Sequence, residues 1–556
     1  MSAVEKNVHP VKIVSKNDVR GKRPSEAIAA RRSKELVIAF AGPIGSGIRA
    51  VKDRFSQLLS DAGYDVRQIK ISEYLEKCIA QDLVQKGRPR PSDKADRYIQ
   101  LQEAGNELRK AQTDILAEYA ISRIAEVRTE EIKEEIKDVT DHIPRRTAYL
   151  IDQLKHQDEV SLLRALYGNL FYLFGVLSTS ARRSNRLKAD GVAEDRISEL
   201  VERDRKQREK NGQQLDKALQ LADFFIRNDH ANADALEFQI KRSIDLIHGL
   251  NGISPTREEY GMYVAYASGL RSACLSRQIG ASIMDNDGLI ISTGRNDVPK
   301  AGGGLYGPED GKSDARCVKL EGGQCYNDLY KRNLVKDIEG LISGTLRKTL
   351  ADVGKDATED QKAILEKIGV AEISTEIANS AHDDTRLGGL IEFSRSIHAE
   401  MDAIVSLAFK GGGIADGATL FTYTFPCHNC ARHIVAAGIR RVYYLEPYEK
   451  SLAVQLHGDA INVDGQRGGL GDGAEGGKRV EFLHFEGVAP RQYLSMFALL
   501  GERKDDNGKA VKTSVRDAEK KIPEYLDDYR EYELKVVEHL STVINELKER
   551  GLPAVE

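Results

Sequence analysis

Tryptophan is absent from this 556-residue chain, and aromatic residues make up only 6% of it. Proteins that grip single-stranded nucleic acid set stacking aromatics beside basic groups. Basic groups are not in excess either: Lys and Arg number 82 against 86 Asp and Glu, for a net charge of −4. That balance supplies no general drive toward a polyanion. Long apolar runs are also missing. None approaches the ~20 residues of a membrane span, and the N-terminus lacks the apolar core of a secretory leader. The six cysteines form no dense disulfide framework, which predicts a reducing, cytoplasmic setting with no membrane partner.

One stretch departs from the neutral balance. Lys6, Lys12, Lys16, Arg20, Lys22, Arg23, Arg31, Arg32 and Lys34 give residues 1–34 a basic, poorly apolar character, expected of a solvated, disordered tail. The remaining length predicts two or three domains.

The residues richest in chemistry lie in the C-terminal half. Ser-Ile-His-Ala-Glu at 396–400 precedes Pro-Cys-His-Asn-Cys at 426–430. His398, Cys427 and Cys430 offer one imidazole and two thiolates, a set that suits Zn²⁺ and leaves one tetrahedral position for water. Apolar runs at Leu420–Phe425 and Val442–Leu445 predict strands around the cysteine pair, in the order helix, strand, helix, strand. Cys427 and Cys430 then fall on the first turn of a helix that Pro426 leads into, and its N-terminus favours both thiolates.

Zinc brings the pKa of a bound water to about 7. Glu400, two residues from the histidine, is placed to take that proton, pass it to a ring nitrogen and help ammonia leave. The pattern H-x-E…P-C-x-x-C resembles that of zinc-dependent cytosine and adenine deaminases, so hydrolytic deamination is the expected reaction. A closed structural zinc site would need a fourth protein ligand; His428 and His433 are the neighbours, and neither is expected to supply it. Cys317 and Cys325, with Asp314 and His382, are the residues for a second zinc site. Their spacing matches no finger pattern, and two reduced thiols are the expected state.

The N-terminal half opens on a buried-strand pattern, Glu35–Ala41, followed by Gly42-Pro-Ile-Gly45-Ser46-Gly47 and an amphipathic helix from Ile48 to Ala62. Strand, glycine turn and helix together present backbone amides to an anion. A full phosphate loop reads G-x-x-x-x-G-K-[ST]. Here Ile48 stands where the lysine belongs and Arg49 where the hydroxyl belongs, which makes an active kinase the less expected reading and leaves binding without turnover, by a degenerate nucleotide-sensing module, open. Gly42, Gly45, Ser46, Gly47 and Arg49 are the candidate nucleotide-binding residues. Further strands are expected at Tyr64–Ile71, Ala148–Asp152, Leu170–Leu177 and Ala222–Asn228, with an Arg-rich helix carrying Arg182, Arg183 and Arg186. This alternation predicts a parallel sheet covered on both faces. Residues 35–250 resemble P-loop nucleoside and nucleotide kinases with a degenerate loop.

The deaminase unit is expected over 256–505. A helix from Glu258 to Arg277 leads to Gly280–Met284, an Asp285-Asn-Asp-Gly288 turn and Leu289–Thr293, a strong hairpin signal. Ser276–Ala281, the Gly294-Arg-Asn296 after that hairpin and Tyr443–Pro447 resemble deoxycytidylate deaminases. That resemblance implies that Asn296 contacts the substrate sugar. Arg295 and Lys300 are the nearby candidates for phosphate contacts. A helix over 515–552 is expected to close the chain, and the glycine stretches 302–304 and 465–477 to be surface insertions.

Taken whole, including Ile151–His156 and Ala222–Asn228, the chain resembles bacterial antiviral deaminases. These carry an N-terminal P-loop kinase-like domain and a C-terminal cytidine deaminase-like α/β/α domain. The resemblance implies deamination of free dCTP and dCMP, depletion of dC nucleotides during phage infection, a small inhibitory RNA, a nucleotide at the N-terminal domain, and homo-oligomers. Two alternatives remain open: a deaminase of RNA or single-stranded DNA, and a housekeeping dCMP deaminase with a nucleotide-sensing domain.

Overall fold

The computed structural model describes residues 31–525, apart from 132–143, 206–213, 230–232, 321, 356–357, 366, 414–416, 447–450, 465, 468–478 and 500–501, and also residue 537. The basic residues from Lys6 to Arg23, most of the 465–477 glycine stretch and the expected helix beyond residue 525 lie outside these. The chain divides into two units, residues 1–259 with 484–556 and residues 260–483. No helix among the described residues is long and apolar enough to cross a membrane.

Unit 1 is built on β1 (Leu36–Ala41), β2 (Asp65–Lys70), β3 (Thr147–Asp152), β4 (Phe171–Leu177) and β5 (Phe224–Arg227). They lie in the order β5-β4-β1-β3-β2, and each pair is parallel. All six residues of β1 and all seven of β4 are buried, as a strand covered on both faces requires. On one face Phe55, from α1 (Ile48–Asp61), meets Phe174 edge-on at 4.7 Å between ring centres, and Phe174 stacks on Phe224 at 4.8 Å. Helices α2 (Lys94–Ala111), α3 (Ser180–Ala189) and α4 (Glu194–Arg205) also belong to this unit.

The expected boundary at residue 505 is corrected here. Unit 2 ends at Leu483, because Gly487 and Val488 pair antiparallel with Phe225 and Phe224 of β5. Val488 and Met496, each 1% exposed, join the core around α1. Further on, Lys520 donates 2.6 Å to the Glu35 carbonyl. Burial pulls its pKa down to about 7.

Unit 2 contains β6 (Gly280–Met284), β7 (Ile290–Arg295), β8 (Thr419–Thr424), β9 (Arg441–Glu446), β10 (Ile461–Val463), β11 (Gln466–Arg467) and β12 (Val480–His484). Their order is β11-β10-β12-β9-β8-β6-β7. β6 and β7 form the expected hairpin. Asp285 Oδ1 accepts the Asp287 and Leu289 amides at 3.0 and 2.8 Å, an Asx turn of the kind that Asp favours. The helix expected to run from Glu258 to Arg277 stops at Gly269. A Cβ on Gly269 would lie 2.8 Å from the Gly280 amide, so the chain turns there beside β6. Between β7 and the His398 segment stands a helix not expected from the sequence, α5 (Tyr326–Gly354), with Val370–Asp384 packed on it. Its solvated length shows no clear apolar stripe, and no residue in it is buried.

Candidate active site

Two helix N-termini bring the chemistry together. His398 is the N-cap of α6 (Ala399–Phe409) and Cys427 that of α7 (His428–Ala436). Pro426 therefore precedes the cap rather than occupying the first turn. Parallel β8 and β9 set the depth of α7, and the Phe425 amide reaches Glu446 O at 2.7 Å. Ser451 Oγ, buried, holds the Pro426 carbonyl at 2.7 Å.

His398 Nδ1 lies 3.3 Å from Cys427 Sγ and 3.3 Å from Cys430 Sγ. All three donor atoms fall within 4.8 Å of one another. The Cys430 amide donates 3.4 Å to Cys427 Sγ. That set fits Zn²⁺: two thiols and one ring nitrogen converge, with room for a fourth, exogenous ligand. The thiol of Cys430 and the ring of His398 both support a negative Cys427, whose pKa falls to about 4. Cys430 moves the other way, held up by that neighbour and by burial. Burial alone would lower the pKa of His398; the Cys427 thiolate and Glu400 outweigh it and raise it.

Glu400 is 5% exposed, and its Oε2 accepts from Cys430 Sγ at 3.5 Å. Burial raises its pKa, while His398 draws it back. A buried carboxyl this close to the donor set is positioned to shuttle a proton. When bound, zinc supplies a water acidic enough to furnish hydroxide at neutral pH.

A residue not singled out from the sequence fixes this helix. Asp402 Oδ2 accepts the Arg295 amide at 2.9 Å, tying β7 to the first turn of α6. Gly294 makes the approach possible: a Cβ there would stand 2.2 Å from Ala399 O and 2.4 Å from the Ala403 amide. The legible signal was an acid on the first helical turn, where the macrodipole favours it.

Asn296 is buried, and both ends of its amide are engaged. Oδ1 accepts the Ile279 amide at 2.7 Å and Nδ2 donates 2.7 Å to Arg277 O. Arg295 donates 3.0 Å to Tyr306 O, and Lys300 pairs with Asp310 at 2.8 Å. The second zinc set is not assembled. Among the described residues only His398, Cys427 and Cys430 group as metal donors; Asp314 pairs with Arg316 and His382 with Asp383. His433 bonds the Asn429 carbonyl, and neither it nor His428 joins the donor group.

In unit 1 the glycine loop forms as expected. Gly47 takes φ 78° and caps α1, a left-handed conformation that glycine adopts freely. Arg186 Nη1 donates to the Gly45 and Ser46 carbonyls at 3.2 and 3.1 Å. Asn228 Nδ2 donates to Ser46 O at 2.9 Å. Arg49 is exposed on the first turn.

Residues 255–446 match the family described as the cytidine and deoxycytidylate deaminase zinc-binding region. The deoxycytidylate deaminase of Enterobacteria phage T2 is 28% identical over 195 residues, 34% of this chain and 80% of that protein. ComE operon protein 2 of Bacillus subtilis strain 168 is 45% identical over 56 residues, 10% of this chain and 29% of its own length. The solved dCMP deaminase of cyanophage S-TIM5, in apo form, aligns with 42% of this chain and all of its own at 17% identity, with a TM-score of 0.20. The C-terminal unit thus carries a deaminase domain of the cytidine and deoxycytidylate type.

Proposed function

We propose that this chain removes the exocyclic amine of cytosine from free deoxynucleotides, dCTP, dCMP or both, giving the uracil nucleotide and ammonia. The observation that carries this reading is the buried Glu400 carboxyl beside the convergent donors of His398, Cys427 and Cys430. The phage T2 relative, named a deoxycytidylate deaminase, supports the base and the sugar. In this reading Glu400 Oε2 delivers a proton to the ring nitrogen and then to the departing amine. Asn296 keeps its sugar-side role through the second lone pair of its carbonyl oxygen, while its amide holds the 277–279 segment.

Unit 1, in this reading, is a P-loop kinase-like module with a degenerate loop that controls the deaminase. From the resemblance to bacterial antiviral deaminases we infer a role in depleting dC nucleotides during phage infection, with a small RNA as inhibitor and an oligomer as the working form. The test of the reaction is incubation of purified protein with dCTP, dCMP, their ribose counterparts and cytosine-containing oligonucleotides, reading uracil and ammonia. Conversion of the free deoxynucleotides is expected; conversion of the oligonucleotides alone would replace this reading with a polynucleotide editor. Nucleotide pools in infected cells test the role, and unchanged dCTP and dCMP would remove it.

A further inference from the structure

α5, at 29 residues the longest helix among the described residues, carries an outward line of side chains that the deamination chemistry does not use. Leu334, Asp337, Leu341, Gly344, Lys348 and Ala351 follow one another at alternate steps of three and four. That spacing sets them in one row along the helix. Every member from Asp337 to Ala351 is exposed, and Leu341 is 71% exposed.

The row is widened by a second helix. Val370–Asp384 packs on α5 and runs back along it: Glu339, Lys331 and Asn327 meet Thr375, Gly388 and Leu390 in that order. Thr375 Oγ1 donates 2.5 Å to Glu339, which marks one side of the pair. Leu341 stands two residues from Glu339, and Ile373 and Ile377 each stand two residues from Thr375. Two residues turn a helix by about 200°, so all three fall on the side away from that bond. Ile373 and Ile377 are 38% and 47% exposed, and an apolar patch forms around Leu341.

Nothing within the chain accounts for the polar and small members of the row. A Cβ on Gly344 would meet nothing within 4 Å, and its φ is not left-handed. Glycine in mid-helix is less stable than alanine, so neither crowding nor backbone conformation calls for it here. Asp337 and Lys348 are exposed and have no ion pair among the described residues.

Turned end for end, the row matches itself. About a two-fold axis midway between Leu341 and Gly344, Leu341 faces Gly344, Asp337 faces Lys348 and Leu334 faces Ala351. Large meets small and acid meets base, and each pairing occurs twice, as an isologous interface requires. A foreign partner needs no such internal match, so the occupant is a copy of this chain. We propose that α5 is a self-association surface on which a second copy docks antiparallel, the Leu341 side chain of one protomer seated over Gly344 of its partner. This gives a surface to the oligomer inferred above, on which it rests, and needs nothing from the zinc site.

Sedimentation velocity of the full chain across micromolar concentrations tests it. Wild type is expected to sediment at twice the mass found after Leu341→Lys. Asp337→Lys and Lys348→Asp each set like charges opposite one another twice, and each is expected to weaken association at least about tenfold. The double variant rebuilds both pairs with their signs exchanged and is expected to recover association to within about threefold of wild type. Positions 337 and 348 lie about 16 Å apart along one helix, so that rescue has no route within a single copy. A wild type that stays monomeric would overturn the proposal together with the inferred oligomer. An oligomer that ignores Leu341→Lys, or charge exchanges that the double variant does not rescue, would overturn this surface and leave the oligomer standing. All three positions are exposed, and circular dichroism checks the fold; if Leu341→Lys does not fold, the charge variants still decide.

Discussion

The Arg295 amide donates a 2.9 Å hydrogen bond to the Asp402 carboxylate, and this bond joins β7 to the helix that presents Glu400. The neighbouring Gly294 backbone touches that helix so closely that a methyl group does not fit. Gly294→Ala should therefore push the first turn of α6 aside, at a cost of about 1–3 kcal/mol in unit 2 stability. Thermal unfolding and zinc content check this together. Both should fall, and an unchanged zinc content with wild-type turnover would show that the contact does not hold the site.

Replacing Glu400 by Gln keeps the volume and removes the carboxyl proposed to carry the proton. Turnover should drop by about 10²–10⁴-fold, the range for a positioned acid–base group. Zinc per chain, measured by elemental analysis, should stay at the wild-type level, since Glu400 is not among the grouped atoms of His398, Cys427 and Cys430 that could hold a metal ion.

Removal of the metal should be reversible in activity. A chelator at neutral pH is expected to abolish deamination, and added Zn²⁺ to restore it. Cys427→Ser should lower both zinc affinity and activity, because a hydroxyl does not match the thiolate that His398 and Cys430 support here.

Lys520 gives unit 1 a pH signature. Its pKa is about 7 in the fold and 10.5 when free. Between those values the unfolded chain binds the extra proton, so stability rises with pH from about 7 to 10.5; below about 7 the full penalty stands. Lys520→Met should flatten that slope by up to about 1.4 kcal/mol per pH unit. Denaturant unfolding of the full chain at pH 7, 8 and 9 reads the difference.

Unit 1 depends on the segment C-terminal to unit 2. A fragment ending at Leu483 lacks Val488 and Met496 from its core and the strand that covers β5. That fragment should show a lower unfolding midpoint for unit 1 than the full chain. Residues 260–483 alone should still fold and bind zinc, judged by circular dichroism and metal content.

Much of this was legible because the signals were local. Strand-loop-helix at Leu36–Asp61, the Asp285–Gly288 hairpin and the His398, Cys427 and Cys430 donors each depend on residues close in sequence or on fixed ligand chemistry. What was missed depends on distant partners. The pairing of Val488 with Phe224 has no sequence signature, since two residues carry no periodicity. The length of α5 was hidden because none of its residues is buried, so no apolar stripe marked it. Asp402 reads as an ordinary first-turn acid until the Arg295 amide is set against it.

The chain leaves unit 1 at Glu259 and returns at His484. Synthesis therefore imposes an order on folding. The sheet of unit 1 exists early, but its edge and part of its core emerge only after the whole deaminase segment. At 5–20 residues per second that wait is roughly 10–45 s. During it residues 260–483, with His398, Cys427 and Cys430, are free to fold, so the ribosome makes unit 2 before unit 1 is complete.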